Sequence, residues 1–156
     1  MSDQPYIRLA TPGDAAALQA LLIRLLDAHV LPEQDAAGVA ALSTFASIDR
    51  IVVRMQAGLH HHLAECEGTR VGVSALRDDG HLVMLFVDTP FQRRGLARRL
   101  WQAALADVLT RSDPERITVN ASGFAVPVYE RMGFVRLGEP VARNSVRATP
   151  MEFRRR

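Results

Sequence analysis

The chain has 156 residues, of which 48% are hydrophobic and 23% are charged, values typical of one globular domain around one core. No segment approaches about 18 uninterrupted apolar residues and the N-terminus lacks the pattern of a secretory signal, so we expect no membrane partner. All 19 basic residues are arginine, which excludes any mechanism that needs a lysine amine, such as a Schiff base or a P-loop lysine.

The net charge of +2 hides an uneven distribution along the chain. Residues 1–90 carry 6 arginines and 11 carboxylates, whereas residues 91–156 carry 13 arginines and 6 carboxylates. A basic half of this kind indicates an anionic ligand. The single cysteine, Cys66, excludes an intrachain disulfide and fits a cytoplasmic location.

The first third of the chain carries strand and helix signals in turn. Residues 6–10 alternate between polar and apolar side chains, which is typical of a strand. Residues 15–31 have leucines at spacings of three and four, which predicts a helix that the following proline ends. Residues 33–47 are rich in alanine and ambiguous, and residues 48–58 predict a second helix that a glycine closes.

The remaining two thirds predict mainly strands. Residues 60–66 and 70–76 flank a short turn and predict a β-hairpin, and the apolar run 81–87 predicts a central strand buried on both faces. An amphipathic helix over 95–111, a strand over 116–122, a short helix before Gly133 and two final strands follow. This order predicts a mixed α/β sheet in a single domain spanning residues 1–156.

A cluster of arginines follows the apolar strand, in the stretch "VDTPFQRRGLARRL" at 87–100. A helix N-terminus presents unpaired N–H groups and the positive end of its dipole, and Gly95 lets the backbone turn without obstruction. These features favour an anion site, with small residues at Gly95 and Ala97 where a pyrophosphate must approach the backbone. The stretch matches neither a Walker A loop nor a dinucleotide fingerprint, and a solvated arginine-rich helix face is the alternative.

Two motifs, in order along the chain, resemble those of the Gcn5-related N-acetyltransferase (GNAT) superfamily. The first is a strand, then Gln-x-x-Gly-x-Ala, then a helix, here "HLVMLFVDTPFQRRGLARRLWQAAL". The second is a strand with asparagine, then a short helix with tyrosine before Gly-Phe, here "ITVNASGFAVPVYERMGFV". The motifs cover about a third of the chain. The resemblance implies a GNAT-like α/β fold, with a mostly antiparallel mixed sheet of about six or seven strands, about four flanking helices, and central strands splayed to admit CoA.

The resemblance further implies an acetyltransferase that uses acetyl-CoA as co-substrate. In such a protein the pyrophosphate lies on backbone N–H groups at the helix start, and the pantetheine arm adds to the splayed strand like another strand. The implied cofactor-binding residues are Leu85, Phe86, Val87, Gln92, Arg93, Arg94, Gly95, Leu96, Ala97, Arg98 and Asn120. Among these, the N–H of Val87 is the expected donor to the thioester oxygen.

Acetyl transfer to an amine needs a neutral amine, a polarised carbonyl and a proton for the departing thiolate. Tyr129 matches the tyrosine that usually serves this family as general acid. The general base stays open between three candidates. His81 occupies the position where the family often has a glutamate, and an imidazole can accept a proton near neutral pH. Glu65 and an ordered water chain are the alternatives.

Three consecutive histidines, His60 to His62, invite a metal interpretation. Neighbouring residues on a strand alternate between faces, so at most two of the three point together, and two ligands fall short of a zinc site. We therefore expect no metal. The remaining interpretations are a solvated strand end and a contribution to the pocket for the acceptor.

We expect the acceptor to be the primary amine of a small molecule, because Asp35, Asp49 and Glu65 could attract a cationic amine. Acetylation of a protein or peptide amine, and a domain that binds acetyl-CoA without turnover, are the alternatives. We expect no nucleic-acid partner, since aromatic residues make up only 6% of the chain and no binding module is recognisable. A homodimer is compatible with the resemblance.

Overall fold

The computed structural model describes residues 4–155, and in them eight strands and five α-helices form a mixed α/β fold. The elements, in chain order, are β1 Tyr6–Leu9, α1 Ala15–His29, α2 Ala36–Phe45, α3 Ile48–Gln56, β2 His61–Cys66, β3 Thr69–Leu76, β4 His81–Val87, α4 Leu96–Val108, β5 Arg116–Ala121, α5 Val126–Arg131, β6 Val135–Arg136, β7 Val141–Arg143 and β8 Val146–Arg154. The predicted fold class is confirmed, with more strands and helices than the sequence indicated.

The sheet has the strand order β1-β2-β3-β4-β5-β8-β6, with β7 also paired to β8. All neighbouring strands are antiparallel except β4 and β5, which are parallel. This pair forms only where His81 faces Thr118 and Leu82 faces Val119. Beyond Leu82 the two strands diverge, so a cleft opens in the middle of the sheet. A register shift between β3 and β4 leaves Val83 as one extra residue on β4, a bulge that bends the strand at this point.

Helices cover both faces of the sheet because both faces are apolar. The leucines of α1 are buried with Leu63, Val73 and Met84 on one face, together with side chains of α2 and α3. On the other face α4 and α5 bury a second set of side chains that includes Trp101 and Ile117. No single helix within residues 4–155 has the length and apolarity to cross a bilayer. The pair α2 and α3 has them only when taken together, and is bent by 56° at its break.

Three features differ from the sequence prediction. Strand β4 is not buried on both faces, because Val83, Leu85 and Phe86 remain half-buried. The ambiguous residues 33–47 contain α2, whose start is capped by the Asp35 carboxylate accepting from an N–H at 2.9 Å. The C-terminal part holds the additional strand β7, joined to β8 by a two-residue turn with positive φ at both positions, as in a type I′ hairpin.

Candidate active site

Two cavities flank the cleft between β4 and β5 and meet beside it. The first, of about 420 Å³, lies between the end of α1, the end of β4, the start of α4 and α5. The second, of about 360 Å³, lies between α1, α2, β4, β5 and the β7–β8 hairpin. The residues that line both cavities are Val30, Leu85, Phe86, Ala125 and Tyr129. The two cavities are therefore adjacent and share these walls.

The loop between β4 and α4 forms one wall of the first cavity. Arg93 and Gly95 have positive φ angles, of 63° and 79°, so the backbone turns tightly before the helix. The first N–H groups of α4 have no carbonyl partner within the helix, and they lie at the positive end of its dipole. A Cβ atom at Gly95 would meet no atom within 4 Å, which leaves the approach to these N–H groups open. The geometry is that of an anion site.

The arginines near this loop divide into two pairs. Arg93 and Arg98 line the first cavity, and the Arg98 guanidinium also donates to the carbonyl of Arg131, which lines the cavity as well. Arg94 instead lies over the Phe91 ring at 5.6 Å, and Arg99 donates to a backbone carbonyl next to β1. No carboxylate of residues 4–155 is among the lining residues. The first cavity is therefore positively charged, although Arg94 lies outside it.

The end of β4 presents free backbone groups to the cleft. Gly72 on β3 faces Val87 on β4, and Asp88 donates to the carbonyl of Val71 at 2.8 Å. This combination identifies Gly72 and Val87 as a non-hydrogen-bonded pair, so the N–H of Val87 points away from β3 and toward β5. By the same alternation, the N–H and the carbonyl of Leu85 also point into the cleft.

The Gln92 side chain closes this strand end by donating to the Val87 carbonyl at 2.9 Å. An extended ligand in the cleft therefore finds the N–H of Val87 and both backbone groups of Leu85. Of the predicted cofactor-binding residues, the first cavity brings together Leu85, Phe86, Val87, Gln92, Arg93, Gly95, Leu96, Ala97 and Arg98.

Tyr129 lies where the two cavities meet. Helix α5 carries it into the sheet, and its ring packs edge-on against Phe134 with a centroid distance of 5.2 Å. Burial raises its pKa well above the usual value for tyrosine, so the phenol stays protonated at neutral pH. Its hydroxyl has no hydrogen-bond partner in the part of the chain that the structure describes. It is therefore a proton donor that is free to serve a ligand.

His81 lies in the second cavity, at the start of β4. Its Nδ1 atom is 2.8 Å from the hydroxyl oxygen of Thr118 on β5. Burial lowers the pKa of His81 below the usual histidine value, and the positive charge of Arg77 lowers it further, so the ring is neutral at pH 7. In the tautomer whose Nδ1–H donates to Thr118, the Nε2 atom is free to accept a proton.

Asn120, a predicted cofactor contact, lies in the second cavity and is absent from the lining of the first. It shares a face of β5 with Thr118, which is the face that His81 contacts. The prediction followed the position of Asn120 in the motif, whereas strand alternation decides which cavity the side chain enters.

The acidic residues considered in the sequence lie elsewhere. Glu65 is ion-paired with Arg8 at 3.0 Å near the sheet edge, and it lines neither cavity, which removes the support for Glu65 as base. Asp35 caps α2 and Asp49 lies in the first turn of α3, and neither lines a cavity. The expectation that these carboxylates attract a cationic acceptor therefore has no structural basis.

The histidine triplet also lines neither cavity. His61 and His62 are buried, so the expected solvated strand end is wrong for these two residues. His60 pairs with Asp107 at 2.9 Å, and burial lowers the pKa of His61 to about 4. Within residues 4–155 no group of three or more His, Cys, Asp or Glu side chains is arranged to hold a metal ion.

One part of the first cavity had no signal in the sequence. His29, at the end of α1, stacks on Phe124 with a centroid distance of 3.9 Å and an interplanar angle of 12°. Glu33 accepts a hydrogen bond from the N–H of Gly123 at 3.0 Å. These contacts join the end of α1 and the turn that follows it to the β5–α5 loop. His29 and Phe124 lie far apart in the sequence, so no local sequence pattern could predict that their rings stack.

Comparison with known proteins identifies the family of this chain. Residues 30–155 match the family model described as an acetyltransferase (GNAT) domain. Over 133 residues the chain is 34% identical to the uncharacterized N-acetyltransferase YafP of Escherichia coli K12, covering 82% of this chain and 79% of YafP.

Solved structures share the fold. A GCN5-related N-acetyltransferase from Rhodopseudomonas palustris (Aminotransferase, Class-II) has a TM-score of 0.79 and 21% identity, covering 99% of this chain and 98% of that one. The PaiA N-acetyltransferase of Thermoplasma acidophilum, solved in complex with coenzyme A, has a TM-score of 0.79 and 15% identity, covering 99% of both chains. The chain belongs to the Gcn5-related N-acetyltransferase superfamily of acetyl-CoA-dependent transferases.

Proposed function

We propose that this enzyme transfers the acetyl group of acetyl-CoA, bound in the first cavity, directly to the primary amine of a small molecule in the second. The observation that carries the proposal is the position of Tyr129, which lines both cavities and holds an unpaired, protonated hydroxyl at their junction. The second cavity, of about 360 Å³, suits a small molecule better than a folded protein surface.

The first cavity supports the placement of the cofactor. Its free helix N–H groups, with Arg93 and Arg98, suit the pyrophosphate, because two anionic phosphates gain both from backbone donors and from guanidinium groups. The apolar lining beside Leu85 and Phe86 suits the pantetheine arm. The free backbone groups of the β4 end suit the amides of that arm.

In the proposed reaction the amine nitrogen attacks the carbonyl carbon of the thioester. The N–H of Val87 donates to the carbonyl oxygen as negative charge develops on it. The C–N bond then forms while the C–S bond breaks, and the Tyr129 hydroxyl gives its proton to the departing sulfur. His81, directly or through water, takes the proton that the amine loses, and the products are an acetamide and CoA.

Most arginines of the basic half line the first cavity or make contacts within the fold, so the proposal needs no nucleic-acid partner. It needs no membrane partner either. We place the enzyme in the cytoplasm, a compartment whose redox state keeps a lone thiol such as Cys66 reduced.

The test combines binding with turnover. Calorimetric titration should show one-to-one binding of acetyl-CoA with a Kd in the micromolar range, weaker binding of ATP, and no need for a metal. Release of CoA thiol should then depend on an added small amine. Absence of acetyl-CoA binding would refute the placement of the cofactor. Binding without CoA release for any small amine would favour a non-catalytic domain, and release with peptide amines alone would favour a peptide acceptor.

A further inference from the structure

The β7–β8 hairpin forms one wall of the second cavity. Across it Arg143 faces Val146, and Val141 faces Ala148. Directly opposed residues lie on the same face of an antiparallel pair, and residues two apart on one strand do so too. These four side chains therefore share one face, and all four line the cavity. The register thus directs Arg143 to the cavity side of the hairpin.

The hairpin is held firmly against the segment that precedes α2. The Gln34 side chain donates to the carbonyl of Arg147 and accepts from its N–H, both at 2.8 Å. Gly38 of α2 lies so close that a Cβ atom there would be 3.0 Å from the carbonyl oxygen of Ser145. These contacts fix the turn that follows Arg143, so the arginine is attached to a rigid wall.

The second cavity has an unbalanced charge. Arg77, Arg143, Arg147 and neutral His81 line it, whereas no Asp or Glu of residues 4–155 is among its lining residues. Arg77 is already paired with Asp79 at 2.5 Å. Arg143 has neither an ion pair nor a side-chain hydrogen bond within residues 4–155. The Arg147 side chain has no such partner within these residues either, but Arg147 faces Ala142 on the other face of the hairpin. Arg143 is therefore the unpaired guanidinium on the cavity side that is free to bind an anion.

The rest of the lining is largely apolar. Leu26 from α1, Leu42 and Phe45 from α2, and Met84 from β4 contribute hydrocarbon and aromatic surface. Tyr129, the proposed proton donor, lies on the side that adjoins the first cavity. The cavity thus offers an apolar surface, one unpaired cation and access to the thioester.

We propose that the acceptor is a primary amine that also carries a carboxylate and an apolar side chain, as an apolar amino acid does, with its carboxylate bound by Arg143. A planar guanidinium binds a carboxylate through two parallel hydrogen bonds, which orients the acceptor and directs its amine toward the thioester. The products are the N-acetyl amino acid and CoA, with one C–N bond formed and one C–S bond broken. This inference rests on the proposed function and replaces the cationic acceptor expected from the sequence.

The test uses matched acceptors and matched variants in the CoA-release assay. Leucine, leucinamide and isoamylamine share one apolar group and one primary amine, but only leucine has a carboxylate. We expect kcat/KM for leucine to exceed that for leucinamide about 10- to 100-fold, the range that corresponds to one charge-assisted contact. The Arg143→Gln variant should lose most of this ratio.

Arg50→Gln is the control, because Arg50 is exposed on α3, lines neither cavity and carries the same charge. It should keep the wild-type ratio. As a second measurement, 4-methylpentanoate, which has the carboxylate but no amine, should inhibit competitively against leucine. Thermal melts of both variants establish that they are folded.

The outcomes separate the two proposals. Equal or higher kcat/KM with leucinamide or isoamylamine overturns the carboxylate preference and leaves the proposed function standing. An unchanged ratio in folded Arg143→Gln overturns the assignment of Arg143. Acetyl-CoA binding with no CoA release for any amine overturns the proposed function and this inference with it.

Discussion

Replacing Tyr129 by phenylalanine tests the mechanism and the packing of the site at once. The change removes one hydroxyl and keeps the ring that packs against Phe134. A positioned general acid contributes about 10²- to 10⁴-fold to the rate of a reaction, so kcat in Tyr129→Phe should fall by at least about 100-fold. The Kd for acetyl-CoA should change little, because in the proposed mechanism the hydroxyl serves the departing sulfur and not the bound ground state.

The stability of this variant carries separate information. The wild-type hydroxyl has no partner within residues 4–155, and it is not among the fully buried polar atoms that lack one, so it stays in contact with the solvent of the cavities. Its removal breaks no bond within the fold, so Tm should stay within about 2–4 °C of wild type, the shift that corresponds to about 1 kcal/mol for a chain of this size. CoA release, calorimetry and a thermal melt measure the three quantities. A kcat within about threefold of wild type would refute the general-acid role, and a marked fall in Tm would show that the hydroxyl holds a structural bond.

Three further predictions concern the anion site, the base and the buried histidine. Gly95→Glu should weaken acetyl-CoA binding at least about tenfold, because it places a carboxylate at the anion site. Gly68→Glu is the control, since Gly68 has the same φ of 79° and no atom within 4 Å of an added Cβ. It should lower the stability by a similar amount and leave acetyl-CoA binding intact. His81→Gln should lower kcat/KM about 100-fold. In the wild type, kcat/KM should fall toward acid pH below pH 6.5, because the pKa of His81 is lowered, and the variant should lose this fall. A decrease in kcat/KM of less than about fivefold would favour water as the base. Because His61 has a pKa lowered to about 4, the unfolded chain binds more protons between pH 4 and 6.5, so stability falls by up to about 3 kcal/mol as pH drops through that window. Denaturant unfolding of His61→Leu should show a correspondingly flatter pH dependence, and an unaltered slope would count against this assignment.

Much of the scaffold was predictable because its signals are local. The leucines of α1 recur within single turns, and the apolar run of β4 leads directly into the glycine that starts α4. Position in the motif also placed Gly95 and Tyr129 correctly relative to their helices. These features depend on neighbours a few residues away, which sequence periodicity can reveal.

The second cavity, in which we propose that the acceptor binds, was less predictable because it depends on distant contacts. Arg143 belongs to β7, a three-residue strand whose existence depends on the turn at Asn144 and on pairing with β8. Asn120 lines the second cavity because of strand alternation. Glu65 forms an ion pair with Arg8 on the neighbouring strand β1. Charge counts along the chain suggested a cationic acceptor. In the fold the acidic residues considered lie outside the second cavity, and the unpaired charge that lines this cavity is the cation Arg143.

The cleft between β4 and β5 also makes the resistance of the protein to degradation depend on the concentration of its cofactor. Two paired positions hold these strands together, and the free backbone groups of Leu85 and Val87 have no strand opposite them. In the proposed complex the acetyl-CoA arm supplies the missing partner and binds only the folded chain, so at a concentration of 100 times Kd acetyl-CoA would add about 2.7 kcal/mol to the free energy of unfolding. Degradation that proceeds through opened states then slows about 100-fold. The amount of enzyme in a cell would thus follow the supply of acetyl-CoA and CoA, which share this arm, without any dedicated regulator.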